Sequence, residues 1–331
     1  MERIVYYMRA FPMGKNFLYC LFCLCMIFRL QAEDRKEMTG EFLQRTLQQG
    51  DITRSYTVHL PLNAIPTNPV PVLFILHGGD GGSPRMMSEG TGYNKISDRE
   101  NFIAVYPSGV DGQWNDGRGK TFRRKDNSGI DDVDFIKLVI EKLSIEFPVD
   151  AKRVYIMGVS NGGMMAYRLA IELGDRIAAI ASVIANLPAN LASIKPVRPI
   201  PVLVMNGTKD PLIPWEGGPI RILGRKFGEL LSTQETVDFW VKANGLDEKV
   251  KKEILSDSHE RDGCMVEVAS YGKEGSNVPV LLYAINGGGH QLPGSKTYLR
   301  YILLGKKCMD INGSEEIWNF LKQHSLGGFN N

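Results

Sequence analysis

Apolar residues in this chain gather in short unbroken runs, and stretches of helical period lie between them. Val70–Leu76 reads VPVLFIL and ends at His77-Gly78-Gly79. Phe102–Tyr106 ends in Pro107-Ser108-Gly109, Ile177–Ile184 is nearly all apolar, and Pro201–Met205 runs into Asn206-Gly207. Runs apolar on both faces suit the central strands of a parallel sheet. Phe42–Leu47 and Ser55–Leu60 read as two further strands turned at Gly50-Asp51. Val133, Ile136, Ile140, Leu143 and Phe147 recur at a 3-4-3-4 spacing, which predicts a helix over 132–147 with Asp131 or Asp132 as cap and Pro148 as stop.

The strand Arg153–Met157 leads into a helix over Asn161–Leu173 closed by Gly174. Ser232-Thr-Gln-Glu235 is a capping box opening a helix that turns Val237, Trp240 and Val241 inward and ends at Asn244-Gly245. Val266–Tyr271 and Val280–Ile285 are late strands, and Ser314 is the expected cap of a last helix carrying Ile317, Phe320 and Leu321. Strands alternating with helices predict an α/β fold with a mostly parallel central sheet flanked by helices. The Pro-rich stretch 186–201 and the Gly-rich stretch 212–230 read as loops over a site.

Charge narrows the function class. The 331 residues carry a formal net charge of only +2, and the basic runs at 120–125 and 249–252 read as solvated surface. No basic stripe suits a nucleic-acid partner. At the N-terminus, Asn16–Phe28 is thirteen residues without a charge, preceded by Arg9 and Lys15 and followed by Leu30-Gln31-Ala32. That pattern predicts a cleaved secretory leader over 1–32 and a catalytic domain over 33–331, secreted or periplasmic, with no stable membrane span after cleavage. A lipid anchor on Cys20, Cys23 or Cys25 is the weaker alternative. Of the five cysteines, Cys264 and Cys308 remain after cleavage. Export permits a bridge between them, but two isolated thiols fit the sequence equally well. No Cys/His spacing marks a structural zinc site.

Gly158-Val-Ser160-Asn-Gly162 carries the chemistry. A serine on a sharp strand-to-helix turn projects its hydroxyl above the sheet, and the glycines make room for the turn. Ser160 is therefore the candidate nucleophile, and the Asn161 N–H at the helix start is a candidate oxyanion donor. A second donor is expected from the loop after Val70–Leu76, on Gly79 or Asp80. That loop lacks the Gly-Lys-Ser/Thr of a phosphate-cradling loop, and His77 reads as a brace for it. Asp210 follows an apolar strand at its C-terminal edge, where it can orient an imidazole. Asp257 and Asp262 are rivals in a polar stretch. His290 follows the strand Val280–Ile285 through three glycines, whereas His59, His259 and His324 follow no suitable strand end. The chain order Ser160, Asp210, His290 is that of the α/β-hydrolase fold. Trp114 and Trp215, each in a Gly-rich loop, are candidate substrate walls.

At these residues the chain resembles the LpqC-like esterase family of poly(3-hydroxybutyrate) depolymerases and feruloyl or acetylxylan esterases. The matching pieces are Arg54-Ser-Tyr56, LHGGDGGS, AVYPSG with Trp114-Asn115, GIDDVDF, RVYIMGVSNGGMMAYRLA, NGTKDPLIPWEGG and GGGHQLPG. The resemblance implies the α/β-hydrolase fold, hydrolysis of carboxylic esters without metal or organic cofactor, and a triad of Ser160, Asp210 and His290. Two departures stand out. Leu246 follows Asn244-Gly245 where relatives carry a cysteine, and no cysteine lies between Gly109 and Gly129, so the family bridge is absent. Gln291-Leu292-Pro293 replaces the aromatic that often follows the histidine, which makes Leu292 a candidate pocket residue unable to stack on a feruloyl ring. The expected partner is a small or oligomeric ester, on a chain that is monomeric or weakly homo-oligomeric. The leading substrates are feruloyl or acetyl esters of plant polysaccharide fragments, with hydroxyalkanoate oligomers or polyesters as the alternative. A serine peptidase, an acyltransferase and a non-catalytic carbohydrate-binding relative are the readings from other classes.

Overall fold

In this computed structural model, residues 40–62, 68–79, 82–119, 129–222, 224–247, 250–272, 275–295 and 304–327 are described. The leader at 1–32 and the oxyanion candidate Asp80 lie outside them. The strands are β1 (Glu41–Gln49), β2 (Ile52–Leu60), β3 (Val70–Leu76), β4 (Ile103–Pro107), β5 (Val149–Val159), β6 (Ala179–Val183) and β7 (Val202–Gly207). They continue as β8 (Gly218–Ile222), β9 (Arg225–Leu230), β10 (Val250–Ile254), β11 (Met265–Tyr271) and β12 (Val280–Asn286). The helices are α1 (Pro84–Gly90), α2 (Tyr93–Glu100), α3 (Asp132–Glu146), α4 (Asn161–Glu172), α5 (Thr233–Ala243) and α6 (Gly313–Leu321).

Among the described residues one ten-stranded sheet runs β1-β2-β4-β3-β5-β6-β7-β12-β11-β10. From β4 to β12 every neighbouring pair is parallel, and the pairs outside that block are antiparallel. The buried centre explains the unbroken apolar runs: every residue of β3, β4, β6 and β7 is buried. Successive side chains of a strand alternate between faces. Val72, Phe74 and Leu76 therefore enter one core layer with Phe135, Leu169 and Trp240, while Leu73 and Ile75 enter the other with Met87, Ile96 and Trp318. At one edge β10 is exposed throughout, and its Lys251 and Lys252 discourage further strand pairing.

Helix boundaries follow local chemistry. Asp131 caps α3, accepting the Asp134 N–H, and Ser232 and Glu235 form the expected capping box of α5. The cap of α6 is a correction. Asn312 accepts the Ser314 and Glu315 N–H groups, whereas Ser314 lies inside the helix and its hydroxyl donates to the Thr91 carbonyl at 2.7 Å. Both residue types cap well, and the burial of Ser314 against the α1–α2 turn decided between them.

The Gly-rich stretch 212–230 also differs from a plain loop. It contains the antiparallel hairpin β8–β9. Ile220, Phe227 and Leu230 of that hairpin pack with Met164, Ala185 and Ile213 in a small separate core. Met164 belongs to the first turn of α4, so the hairpin sits against the start of that helix.

Candidate active site

The C-terminal ends of β5, β7 and β12 converge through backbone contacts. The Ser160 N–H donates to Val183 O (2.9 Å), the Ile184 N–H to Met205 O (2.8 Å) and the Thr208 N–H to Ile285 O (3.0 Å). Each strand end hands its loop to the next, and the sequence candidates lie in these loops.

Ser160 sits between β5 and α4 with φ 56° and ψ −119°. A non-glycine residue there is strained, and such strain gathers at functional sites. The flanking glycines are required by space. A Cβ on Gly158 would lie 2.1 Å from Gly162 O, and one on Gly162 would lie 2.5 Å from both Leu76 O and His77 O. The Ser160 side chain makes no capping bond to its own helix. The Asn161 N–H belongs to the first helical residue and has no intrahelical acceptor, so the dipole end of α4 faces the serine.

The loop after β3 borders the same point, since a Cβ on Gly78 would lie 3.6 Å from Ser160 Cβ. Gly79 follows, packed against the Gln113 amide. His77 is buried and braces this loop. The Gly109 N–H donates to its Nε2 at 3.0 Å, and its Nδ1 lies 2.7 Å from Gly78 O. Those partners select the neutral ring protonated on Nδ1. Burial holds its pKa below the ordinary histidine value, which keeps the ring neutral at physiological pH.

Asp210 and His290 meet across the ends of β7 and β12. Asp210 Oδ2 lies 2.7 Å from His290 Nδ1, and Asp210 Oδ1 accepts the Leu212 and Ile213 N–H groups at 2.8 Å each. With Nδ1–H directed at the carboxylate, Nε2 is the basic nitrogen. Side-chain exposure is 9% for His290 and 2% for Asp210. Among the described residues no hydrogen bond joins Ser160 to His290, the looseness common in unliganded sites.

The two loops are laced together. Lys209 N–H donates to Gly288 O (2.9 Å) and Gly287 N–H to Thr208 Oγ1 (3.0 Å). Gly207 permits that approach, because its Cβ would lie 2.4 Å from Gly288 O. Beneath them Asn206 accepts the Ala185 N–H and donates to Ala185 O, Asn186 and Thr233.

Two sequence candidates are corrected. Trp114 is not a substrate wall: it is fully buried, with Nε1–H donating to His77 O at 2.9 Å. A gap beneath two glycine-bearing loops needs a large filler, and the indole supplies it. Leu292 is likewise turned away from solvent. It is buried in the core layer against Gly313, at the start of α6. Trp215 is half-buried in the loop after Asp210 and packs against the larger core layer.

Sequence reasoning missed Asp116 and Arg118. The Asn161 amide accepts the Trp114 N–H at 2.8 Å and donates to Asp116. Asp116 is fully buried and paired with Arg118 at 2.6 Å. Arg118 in turn donates to Phe227 O on β9 at 3.1 Å. The chain of contacts runs from the hairpin to the residue whose N–H faces Ser160. Arg118→Ala strands a buried carboxylate beside Asn161. Its expected effect is a kcat roughly 10- to 100-fold lower with KM little changed. Steady-state kinetics on a soluble ester, with Tm as a folding control, reads it. An unchanged kcat removes Arg118 from the positioning of Asn161.

A family model described as esterase PHB depolymerase matches residues 54–189. NocK, a candidate esterase of Nocardia uniformis subsp. tsuyamanensis, is 33% identical over 284 residues, covering 83% of this chain and 80% of its own. The chain belongs to the esterase PHB depolymerase family. Members of this family are carboxylic ester hydrolases, and this chain is one. Feruloyl esterase B of Piromyces equi is 28% identical over 252 residues, 74% of this chain and 40% of its own length. The bifunctional acetylxylan esterase/xylanase XynS20E of Neocallimastix patriciarum is 30% identical over 165 residues, 49% of this chain and 22% of its own. This chain thus spans less than half the length of those two relatives. The solved acetyl xylan esterase from Aspergillus awamori superposes with a TM-score of 0.54 at 15% identity, over 85% of this chain and 99% of that one. That likeness shows the α/β-hydrolase fold.

Proposed function

We propose that this esterase works by a Ser160–His290–Asp210 triad through an acyl-enzyme. One observation carries the reading. The Asp210–His290 pair and the strained Ser160 turn share one end of the sheet, beside the start of α4 and the loop at Gly78. His290 Nε2 takes the Ser160 proton as Oγ attacks the ester carbonyl. The Asn161 and Gly79 N–H groups hold the oxyanion, and the protonated imidazole releases the alcohol. Water repeats the sequence on the acyl-enzyme. Asp210 orients the ring and balances its positive charge.

The proposed substrates are acetyl or feruloyl esters on plant polysaccharide fragments, met outside the cell after removal of a leader. Support comes from the feruloyl and acetylxylan esterases among the relatives and from the leader pattern of residues 16–32. With Leu292 buried, Trp215 is the side chain proposed to face an aromatic acyl group. Esters of hydroxyalkanoate oligomers are the second reading, favoured by the family to which the chain belongs.

The test is a panel of p-nitrophenyl acetate, methyl ferulate, acetylated xylan fragments, a 3-hydroxybutyrate oligomer and a peptide amide. The expected result is hydrolysis of acetyl and feruloyl esters, with Trp215→Ala raising KM for methyl ferulate more than for the acetate. A 3-hydroxybutyrate ester hydrolysed best would replace the plant-wall reading with the second one. Peptide cleavage without ester cleavage would overturn both.

A further inference from the structure

Cys264 lies one residue before β11, and Cys308 lies in the strap of residues 304–312 that leads into α6. Both are buried, at 5% and 2% exposure, and both are free thiols. Their sulfurs and an Asp262 carboxylate oxygen all lie within 4.8 Å of one another. The Cys308 thiol donates to Asp310 Oδ2 at 3.5 Å and the Cys264 thiol to Asp262 O at 3.9 Å. The two backbones are clamped by one side chain. Asp262 Oδ1 accepts the Cys264 N–H at 2.8 Å, and its Oδ2 accepts the Met309 N–H at 2.7 Å.

The strap supports the His290 loop along its length. His290 N–H donates to Leu304 O, Gly289 N–H to Lys306 O at 2.8 Å and Gly294 N–H to Cys308 O at 3.0 Å. Gln291 Nε2 donates to Gly305 O at 2.7 Å. A Cβ on Gly289 would lie 2.1 Å from Leu304 O, so loop and strap touch backbone to backbone.

We propose that Cys264 and Cys308 form a disulfide that fastens the strap beneath the His290 loop to β11. The oxidant is a disulfide, either small-molecule or carried by an oxidoreductase. The Cys264 thiolate attacks one sulfur of the oxidant, whose S–S bond breaks and releases one thiolate. Cys308 then loses its proton to solvent and attacks Cys264 Sγ, releasing the second. Two protein thiols are oxidised and one disulfide is reduced to two thiols. The close contact between the two sulfurs holds the Cys264 thiol below its usual range and, with burial, pushes Cys308 up. The Cys308 proton is committed to the Asp310 carboxylate, so Cys264 is the first nucleophile in this scheme. Because both sulfurs are buried, exchange occurs during folding or local opening. A rival occupant is a thiophilic cation on Asp262, Cys264 and Cys308. It is disfavoured because the described residues bring only three donor side chains together, one short of a closed structural zinc site.

The inference rests on the export reading only for where the bridge persists, and its readout needs no esterase activity. The full chain is equilibrated with oxidised and reduced glutathione, digested without reduction and mapped by mass spectrometry. The expected result is a Cys264–Cys308 cross-linked peptide, separate from Cys20, Cys23 and Cys25. Tm should stand several degrees above the dithiothreitol-treated chain, and C264A/C308A should show no such difference. Free alkylation of both thiols in denaturant after oxidation overturns the proposal. So does zinc bound stoichiometrically by the reduced chain and lost in the double variant. A bridge that forms without raising Tm or slowing heat inactivation overturns its fastening role.

Discussion

Ser160→Ala lowers ester hydrolysis by at least about 10⁴-fold and leaves Tm unchanged or slightly raised. The loss is large because no other group near the strained turn can form the acyl-enzyme. What remains comes from the oxyanion donors and substrate binding. Tm should not fall because the serine hydroxyl makes no capping bond to α4, so little native bonding is lost. The measurement is steady-state hydrolysis of p-nitrophenyl acetate beside thermal unfolding. Activity within tenfold of wild type would sink Ser160 as nucleophile while leaving family membership intact.

Asp132→Ala has the largest expected effect on stability, a loss of about 3–5 kcal/mol. Asp132 and Arg54 are an ion pair with side-chain exposures of 0% and 1%, their charged atoms 2.5 Å apart. The other Asp132 oxygen accepts the Asn115 N–H at 2.6 Å, and the Arg54 guanidinium lies 3.8 Å over the Phe135 ring. Removing the carboxylate leaves a buried cation and an unsatisfied amide, while Asp131 and Asp134 keep the helix start negative. Urea unfolding reads the loss. The double variant R54M/D132L should lose clearly less than the two single changes summed, because neither charge is then stranded. A loss below about 1 kcal/mol in Asp132→Ala would show that Arg54 is compensated elsewhere. Asp131 and Asp132, adjacent in one motif, thus divide into a helix cap and a buried counter-ion.

Much of the site is legible in the chain's local patterns. The strand runs, the turn around Ser160 and the strand-end positions of Asp210 and His290 are written locally. A buried strand must be apolar on both faces, and a tight turn must spare its Cβ atoms. Glycines at 158 and 162 announce a tight turn; the structure shows which atoms approach there and adds the close approach at Gly207.

What only the tertiary structure decided depends on distant neighbours. Trp114 in a Gly-rich loop reads as a wall, yet His77 and Asn161 enclose it. Leu292 follows the histidine but belongs to the core beneath α6. The hairpin β8–β9 hides in a Gly-rich stretch because its apolar residues are few and find partners on α4 and the loops after β6 and β7. Asp116 and Arg118 carry no local signal, since a buried ion pair acquires its meaning from Asn161 on one side and Phe227 on the other. Spacing left Cys264 and Cys308 undecided. Chain folding brought them together, because the antiparallel end of the sheet returns β11 beside the strap before α6. The sequence by itself determined which residues could do chemistry and at which strand ends they stand. Burial and pairing were decided by the tertiary structure, because both depend on contacts between segments far apart in the chain.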